Sequence, residues 1–197
     1  MIIGVTGNSG SGKSFLLKNL NIKKTFYIID ADKIGHNVLY IEDCKKEIFD
    51  FFGDEVFKNG EIIRKILGDI VFKDKVKLDI LTKITHKYIL KEIDNKIFEN
   101  FKLYDIIFID APLLVESGLY KKCDYNILIK APFDIKLDRI MKRDCITEEL
   151  GVLRLHNQSD EDYLMKYCNY FISNTNLKSS IIEFRRIIDC LENNEDI

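Results

Sequence analysis

Short runs of branched and aromatic residues alternate along the chain with longer stretches whose apolar positions recur every three or four residues. Met1 to Val5 predicts a buried strand, followed by a glycine-rich turn and a helix from about Ser14 to Leu20. Phe26 to Ile29 predicts a second strand ending at Asp30, and Ile106 to Ile109 a third ending at Asp110. Asn126 to Ile129 predicts a fourth and Tyr170 to Ile172 a shorter fifth. Strands separated by helices join through right-handed crossovers, so the expected fold class is α/β: three layers, with helices on both faces of a mostly parallel five-stranded sheet.

A long helical pattern, about Lys33 to Phe101, separates the second strand from the third. Its later part places Leu81, Ile84, Tyr88, Leu90, Ile93, Ile97 and Phe101 at three- and four-residue spacing, which predicts one apolar stripe. Such an insert is too long for a plain crossover and predicts a helical sub-domain over 33–102 beside a core of 1–32, 103–135 and 165–197. From Lys58 to Lys102, ten lysines and one arginine face seven acids, a local excess of +4. This is either a solvated helix surface or a cradle for an anionic substrate.

Composition narrows the classes. The 197 residues are 46% hydrophobic and 31% charged, an ordinary globular balance in one compact domain. Thirty Lys and Arg against 32 Asp and Glu leave a net charge of −2, which argues against a general nucleic-acid binder. No apolar run reaches the roughly 18 residues of a membrane span; the longest candidate, Tyr104 to Val115, is interrupted by Asp105 and Asp110. The N-terminus has no basic stretch of the secretory kind. Cys44, Cys123, Cys145, Cys168 and Cys190 are scattered with no CxxC pair, so reduced thiols in a cytoplasmic protein are expected and structural zinc is not. The acidic tail, Glu192 to Ile197, is expected to fray.

Gly7-Asn8-Ser9-Gly10-Ser11-Gly12-Lys13-Ser14 is a complete G-x-x-x-x-G-K-[ST] pattern between a strand and a helix. Average residue frequencies give such a pattern a chance of roughly 1% in a chain this long. Glycines let successive N–H groups turn inward into an anion nest, and the helix start adds unpaired amides. Lys13 would place a charge on the β- and γ-phosphates of ATP, and the Ser14 hydroxyl would ligate Mg²⁺. Asn8, Ser9, Gly10, Ser11, Gly12 and Phe15 complete the predicted nucleotide contacts. No Asn/Thr-Lys-x-Asp motif of the kind that reads guanine occurs late in the chain.

Carboxylates stand at two strand ends, the edge where open α/β sheets bind ligands. Asp32 is a candidate proton acceptor for an alcohol substrate, and Asp30 a holder of metal-bound water or a helix cap; both acids could equally be caps. Asp110 is either a magnesium-site carboxylate or a strand-terminating cap, with Glu116 a weaker candidate. Only six arginines accompany 24 lysines, so each arginine invites a reason. Arg139 and Arg143, four apart on one helix, suit a lid over 136–164 that neutralises the transferred phosphoryl group, or pair with Asp138 or Asp144. Arg64 could grip an acceptor phosphate. His36, His86 and His156 are unclustered; His86, in the insert, is the one to test.

These residues together resemble the dephospho-CoA kinase family, from about Ile3 to Asn174. Gly4-Val5-Thr6-Gly7 through Ser14, Ile29-Asp30-Ala31-Asp32, Phe52-Gly53, Gly60 with Arg64, Leu67-Gly68, Ile84-Thr85-His86, Asp110-Ala111-Pro112-Leu113-Leu114-Val115-Glu116, Arg139 with Arg143-Asp144, Gln158 and Asn174 follow in the family's order. The resemblance implies a phosphate-loop kinase fold with a helical acceptor sub-domain and a lid. It implies ATP-dependent phosphorylation of the ribose 3′-hydroxyl of dephospho-CoA with Mg²⁺, Asp32 as base, Lys13, Arg139 and Arg143 as catalytic groups, Asp32, Arg64 and His86 on the acceptor, and Ser14 and Asp110 at the metal. The expected partner is a small molecule, with no nucleic acid or membrane, and the chain a monomer or weak homo-oligomer. Rivals are another small-molecule or nucleoside monophosphate kinase, and a nucleotide-binding switch without turnover. The chain departs from the pattern at Phe15, Lys87, Lys136 and Asn169.

Overall fold

A computed structural model describes residues 1–71 and 73–193; of the expected frayed tail, 194–197 lie outside the described residues. The chain divides into two units: Met1–Ile29 with the described residues from Asn100 onward, and Asp30–Glu99.

The first unit is built on a sheet. Strand β1 (Ile2–Thr6) runs into the glycine-rich turn and helix α1 (Lys13–Lys18). Strand β2 is Phe26–Asp30. The chain then enters the second unit, with α2 (Ala31–Asn37), α3 (Glu42–Phe52), β3 (Phe57–Lys58), β4 (Glu61–Ile62), α4 (Arg64–Val71) and α5 (Lys75–Asn100). Then follow β5 (Ile106–Asp110), β6 (Tyr125–Lys130), α6 (Phe133–Asp144), α7 (Glu148–His156), α8 (Glu161–Met165), β7 (Tyr170–Ser173) and α9 (Leu177–Asn193). The sheet order is β2-β5-β1-β6-β7, and β1 pairs parallel with both β5 and β6. The five strands match the five apolar runs of the sequence. Central strands read as unbroken apolar runs because both faces are covered. On one face Ile3, Val5, Phe108, Ile127 and Ile129 pack with Leu16 and Leu17 of α1 and with Phe184, Ile187, Ile188 and Leu191 of α9. On the other, Leu128 packs with Val115 and with Leu164 of α8. Phe108 is buried and meets Phe26 and Phe184 edge-on, at centroid distances of 5.6 and 5.9 Å.

Helix α1 is shorter than the pattern predicted. Asn19 ends it, and its side chain turns back to donate to the Phe15 carbonyl at 2.8 Å.

The second unit has a core of its own: Cys44, Ile48, Phe52, Val56, Leu67 and Val71, with Leu81, Ile84 and Tyr88 against it. Two expectations are corrected there. The insert is not purely helical, because β3 and β4 form an antiparallel hairpin. Its turn is Asn59-Gly60, with φ of 53° and 78°, the left-handed pair a two-residue hairpin requires. The predicted single stripe also breaks up: Phe101 lies past the end of α5 and is exposed, while Ile93 is wholly buried. A helix of 26 residues drifts out of register with one contact surface, so its apolar positions serve different neighbours.

Lys87 finds its partner inside this unit. Its ammonium lies 2.6 and 2.5 Å from the two Glu47 oxygens, and the Tyr88 hydroxyl donates to Glu47 at 2.5 Å. The Lys87 bond, and then the Tyr88 bond, hold the Glu47 carboxyl below the usual carboxylate range. A lowered acid pKa stabilises the fold above the usual range and loses that contribution as pH falls through the folded value. The melting-temperature difference between wild type and Glu47→Gln is therefore expected at neutral pH and to shrink on acidification. In the first unit, Phe184→Ala should destabilise by about 3–5 kcal/mol, read by urea unfolding, because it empties a ring-sized space in the core.

Candidate active site at the phosphate loop

The loop between β1 and α1 is held by backbone that only glycine suits at Gly7, Gly10 and Gly12. Gly10 and Gly12 have φ of +77° and +91°. A Cβ on Gly10 would lie 2.5 Å from the Lys136 carbonyl oxygen, and one on Gly12 would lie 2.3 Å from Asn174 Nδ2. Gly12 caps α1 without a side-chain bond, so the helix's first amides are not consumed by a cap. Lys13 is buried, and its ammonium donates to the Gly7 carbonyl at 2.6 Å. The Ser14 hydroxyl donates to Asp110 Oδ2 at 2.5 Å. Strand pairing explains that contact: Val5 stands opposite Asp110 in the β1–β5 ladder, so the acid ends its strand beside the point where the loop departs.

Three further segments grip the loop from outside. Arg139 on α6 donates to the carbonyls of Gly10 and Ser11 at 3.1 and 3.3 Å and to that of Asn174 at 3.0 Å. Asn174, just after β7 and buried, donates from Nδ2 to the Ser11 carbonyl at 2.7 Å. Gln158, between α7 and α8, bonds Ser9 twice at 2.9 Å, and Asn8 Nδ2 donates to the Ser159 carbonyl at 3.2 Å. Lys136, the departure on α6, is buried and pairs with Glu161 at 2.6 Å, tying α6 to α8. Phe15 is 56% exposed.

Arg139 and Arg143 do not act as a matched pair here. Arg139 turns to the loop's main chain, which the sequence did not suggest. Arg143 makes a two-point bond with Asp144 at 2.7 and 2.8 Å, one of the alternatives the sequence left open. Arg154 also reaches Asp144, at 2.6 Å, and the Arg143 bond, then these two cations, hold that carboxyl below its usual range. Sequence reasoning also gave Gln158 and Asn174 no task of their own. Their only signal was position in the family's motif order, since a side chain that bonds a loop carbonyl has no local pattern.

The candidate acceptor residues all belong to the second unit. Asp30 caps α2, accepting from the Lys33 N–H at 2.9 Å, so the cap reading of Asp30 is the one observed. Asp32 is not the cap; it is exposed in the first turn of α2, where the helix dipole favours its charge. Arg64 is exposed at the first residue of α4, and His86 is half-buried within α5.

A parallel sheet, a glycine loop cradling its own helix start, and a hydroxyl–carboxylate pair at Ser14 and Asp110 define a phosphate-loop protein of the kinase type. The dephospho-CoA kinase family model matches residues 1–179. A dephospho-CoA kinase of Fusobacterium nucleatum is 36% identical over 196 residues, covering 97% of this chain and 98% of the relative. The solved dephospho-CoA kinase of Campylobacter jejuni superposes with a TM-score of 0.71 at 31% identity, covering 98% of each chain. A Thermus thermophilus structure superposes with a TM-score of 0.80 at 25% identity, covering 98% of this chain and 97% of that one. The chain belongs to the dephospho-CoA kinase family.

Asn174→Ala should weaken nucleotide binding roughly tenfold, because it frees the Ser11 carbonyl from its closest side-chain donor. Titration calorimetry checks the affinity.

Proposed function

We propose that this chain transfers the γ-phosphoryl group of ATP to the ribose 3′-hydroxyl of dephospho-CoA, giving CoA and ADP, the final step of coenzyme A biosynthesis. The observation that carries the reading is the Ser14–Asp110 bond beside a loop whose carbonyls are tied outward.

The loop's inward amides and Lys13 bind the phosphate tail. To do so Lys13 exchanges the Gly7 carbonyl for phosphate oxygens, a small swing at the tip of a flexible stem. The Ser11 hydroxyl, buried and with no hydrogen-bond partner among the described residues, leaves a polar group unspent within the loop. Ser14 and Asp110 offer hard oxygen donors of the kind that suits Mg²⁺, which protein sites hold through few side chains plus substrate phosphates. When bound, Mg²⁺ supplies charge neutralisation across the β- and γ-phosphates.

Asp32 orients the acceptor hydroxyl and takes its proton on a carboxylate oxygen. The 3′-oxygen bonds to the γ-phosphorus as the bond to the β–γ bridging oxygen breaks, and ADP leaves with that electron pair. Positioning and charge stabilisation carry most of the rate, because the transition state is loose. Arg143 trades Asp144 for the transferred phosphoryl group. Arg139 serves by holding the loop. Arg64 and His86 bind the acceptor, with the lysine-rich stretch drawing its phosphates in. Residues 33–102 form the acceptor sub-domain and 136–164 the lid. A cytoplasmic setting and a monomer or weak oligomer complete the reading; no described helix is long and apolar enough to cross a membrane.

ADP release measured with dephospho-CoA, beside nucleoside monophosphates and small alcohols, tests the acceptor. Turnover with a nucleoside monophosphate but not dephospho-CoA would overturn it. Asp32→Asn should lower kcat by about 10²–10⁴-fold with ATP affinity nearly unchanged, because a base acts in the transition state.

A further inference from the structure

Ser9 is held by one side chain at two atoms. Its N–H donates to Gln158 Oε1 at 2.9 Å, and its hydroxyl oxygen accepts from Gln158 Nε2 at 2.9 Å. The carboxamide plane of Gln158 thus closes a ring on a single residue of the phosphate loop. The amide can sit only one way round, because the Ser9 N–H needs an acceptor and so leaves Nε2 facing the hydroxyl.

That orientation has a chemical result. A hydroxyl has one proton and two acceptor lone pairs. With a lone pair of Ser9 Oγ engaged by Nε2, the hydroxyl proton must point away from Gln158. We propose that Gln158 is a positioning residue for phosphoryl transfer: it orients the Ser9 hydroxyl as a hydrogen-bond donor to an anionic oxygen of the phosphate tail. This rests on the loop being the cradle for ATP. Gln158 itself need not touch the nucleotide, since it acts through Ser9.

The surroundings allow this role to be separated from a merely structural one. The 158–159 segment is anchored independently, by Asn8 Nδ2 on the Ser159 carbonyl and by the Ser159 hydroxyl on Glu116. Removing the Gln158 amide leaves both anchors. Glutamate at 158 keeps the shape but has no donor, so its carboxylate accepts from both the N–H and the hydroxyl of Ser9, capturing the proton the phosphate needs. It also adds negative charge beside the loop. Alanine removes the orientation without those two penalties.

The test uses the full chain, with Gln158→Ala, Gln158→Glu, Ser9→Ala and the Ser9→Ala/Gln158→Ala pair. Binding of ATP and ADP is read by calorimetry, KM for each substrate by ADP release, and folding by thermal melting. Gln158→Ala should raise KM for ATP roughly tenfold, as expected for one hydrogen bond to a charged group, with KM for dephospho-CoA unchanged. Gln158→Glu should lose more than Gln158→Ala, and more for ATP than for ADP. The double variant should be no weaker than Ser9→Ala alone, because both changes remove one interaction. Unchanged ATP affinity in Gln158→Ala, or glutamate performing as well as glutamine, overturns the proposal. Equal loss for both substrates with a lowered melting temperature also overturns it, in favour of a scaffold role. Failure of the wild-type chain to bind ATP would instead sink the reading of the loop itself.

Discussion

The rest of the site depends on where the phosphate loop sends its carbonyl oxygens. A loop that binds an anion through main-chain N–H groups must turn those groups inward, and the opposite ends of the same peptides then need partners outside. Here the Gly10 carbonyl accepts from Arg139, and the Ser11 carbonyl from both Arg139 and Asn174. A backbone bond from Ser11 N–H to the Asn8 carbonyl closes the turn. The two donors come from different elements, α6 and the end of β7. The cradle is thus held open from its outer side by these donors. Glycine at positions 10 and 12 is the other half of that constraint, since side chains there would collide with Lys136 and Asn174.

The placement of charge follows the same logic. Cations near the loop are engaged rather than loose: Lys136 with Glu161, Arg143 and Arg154 with Asp144. A buried lysine at 136 is tolerable because an acid four-fifths buried sits 2.6 Å away. In the second unit Lys87 is matched in the same way by Glu47. Both departures from the family pattern therefore come with their own counter-charge.

The sheet was readable because its strands are buried on both faces. A run such as Ile106 to Ile109 has no polar positions to disguise its ends, and the next residue, Asp110, marks the edge. The loop was readable because its chemistry is local: eight consecutive residues carry the nest, the ammonium and the hydroxyl. The Asn59-Gly60 turn signal is present in the sequence, but its two-residue strands are too short to show alternation beside long helical patterns. Along α5, spacing alone does not reveal which neighbour each apolar residue meets.

By itself the sequence determined the strand ends, the phosphate-binding loop and the carboxylates that follow the strands, since each is written in adjacent residues whose backbone preferences and burial are short-range. Only the tertiary structure decided that Arg139 and Asn174 brace the loop, that Gln158 clasps Ser9, and that Asp110 receives the Ser14 hydroxyl. Those contacts join residues between 96 and 163 positions apart. Strand order and helix packing bring them together, and no local pattern of residues encodes a meeting at that separation.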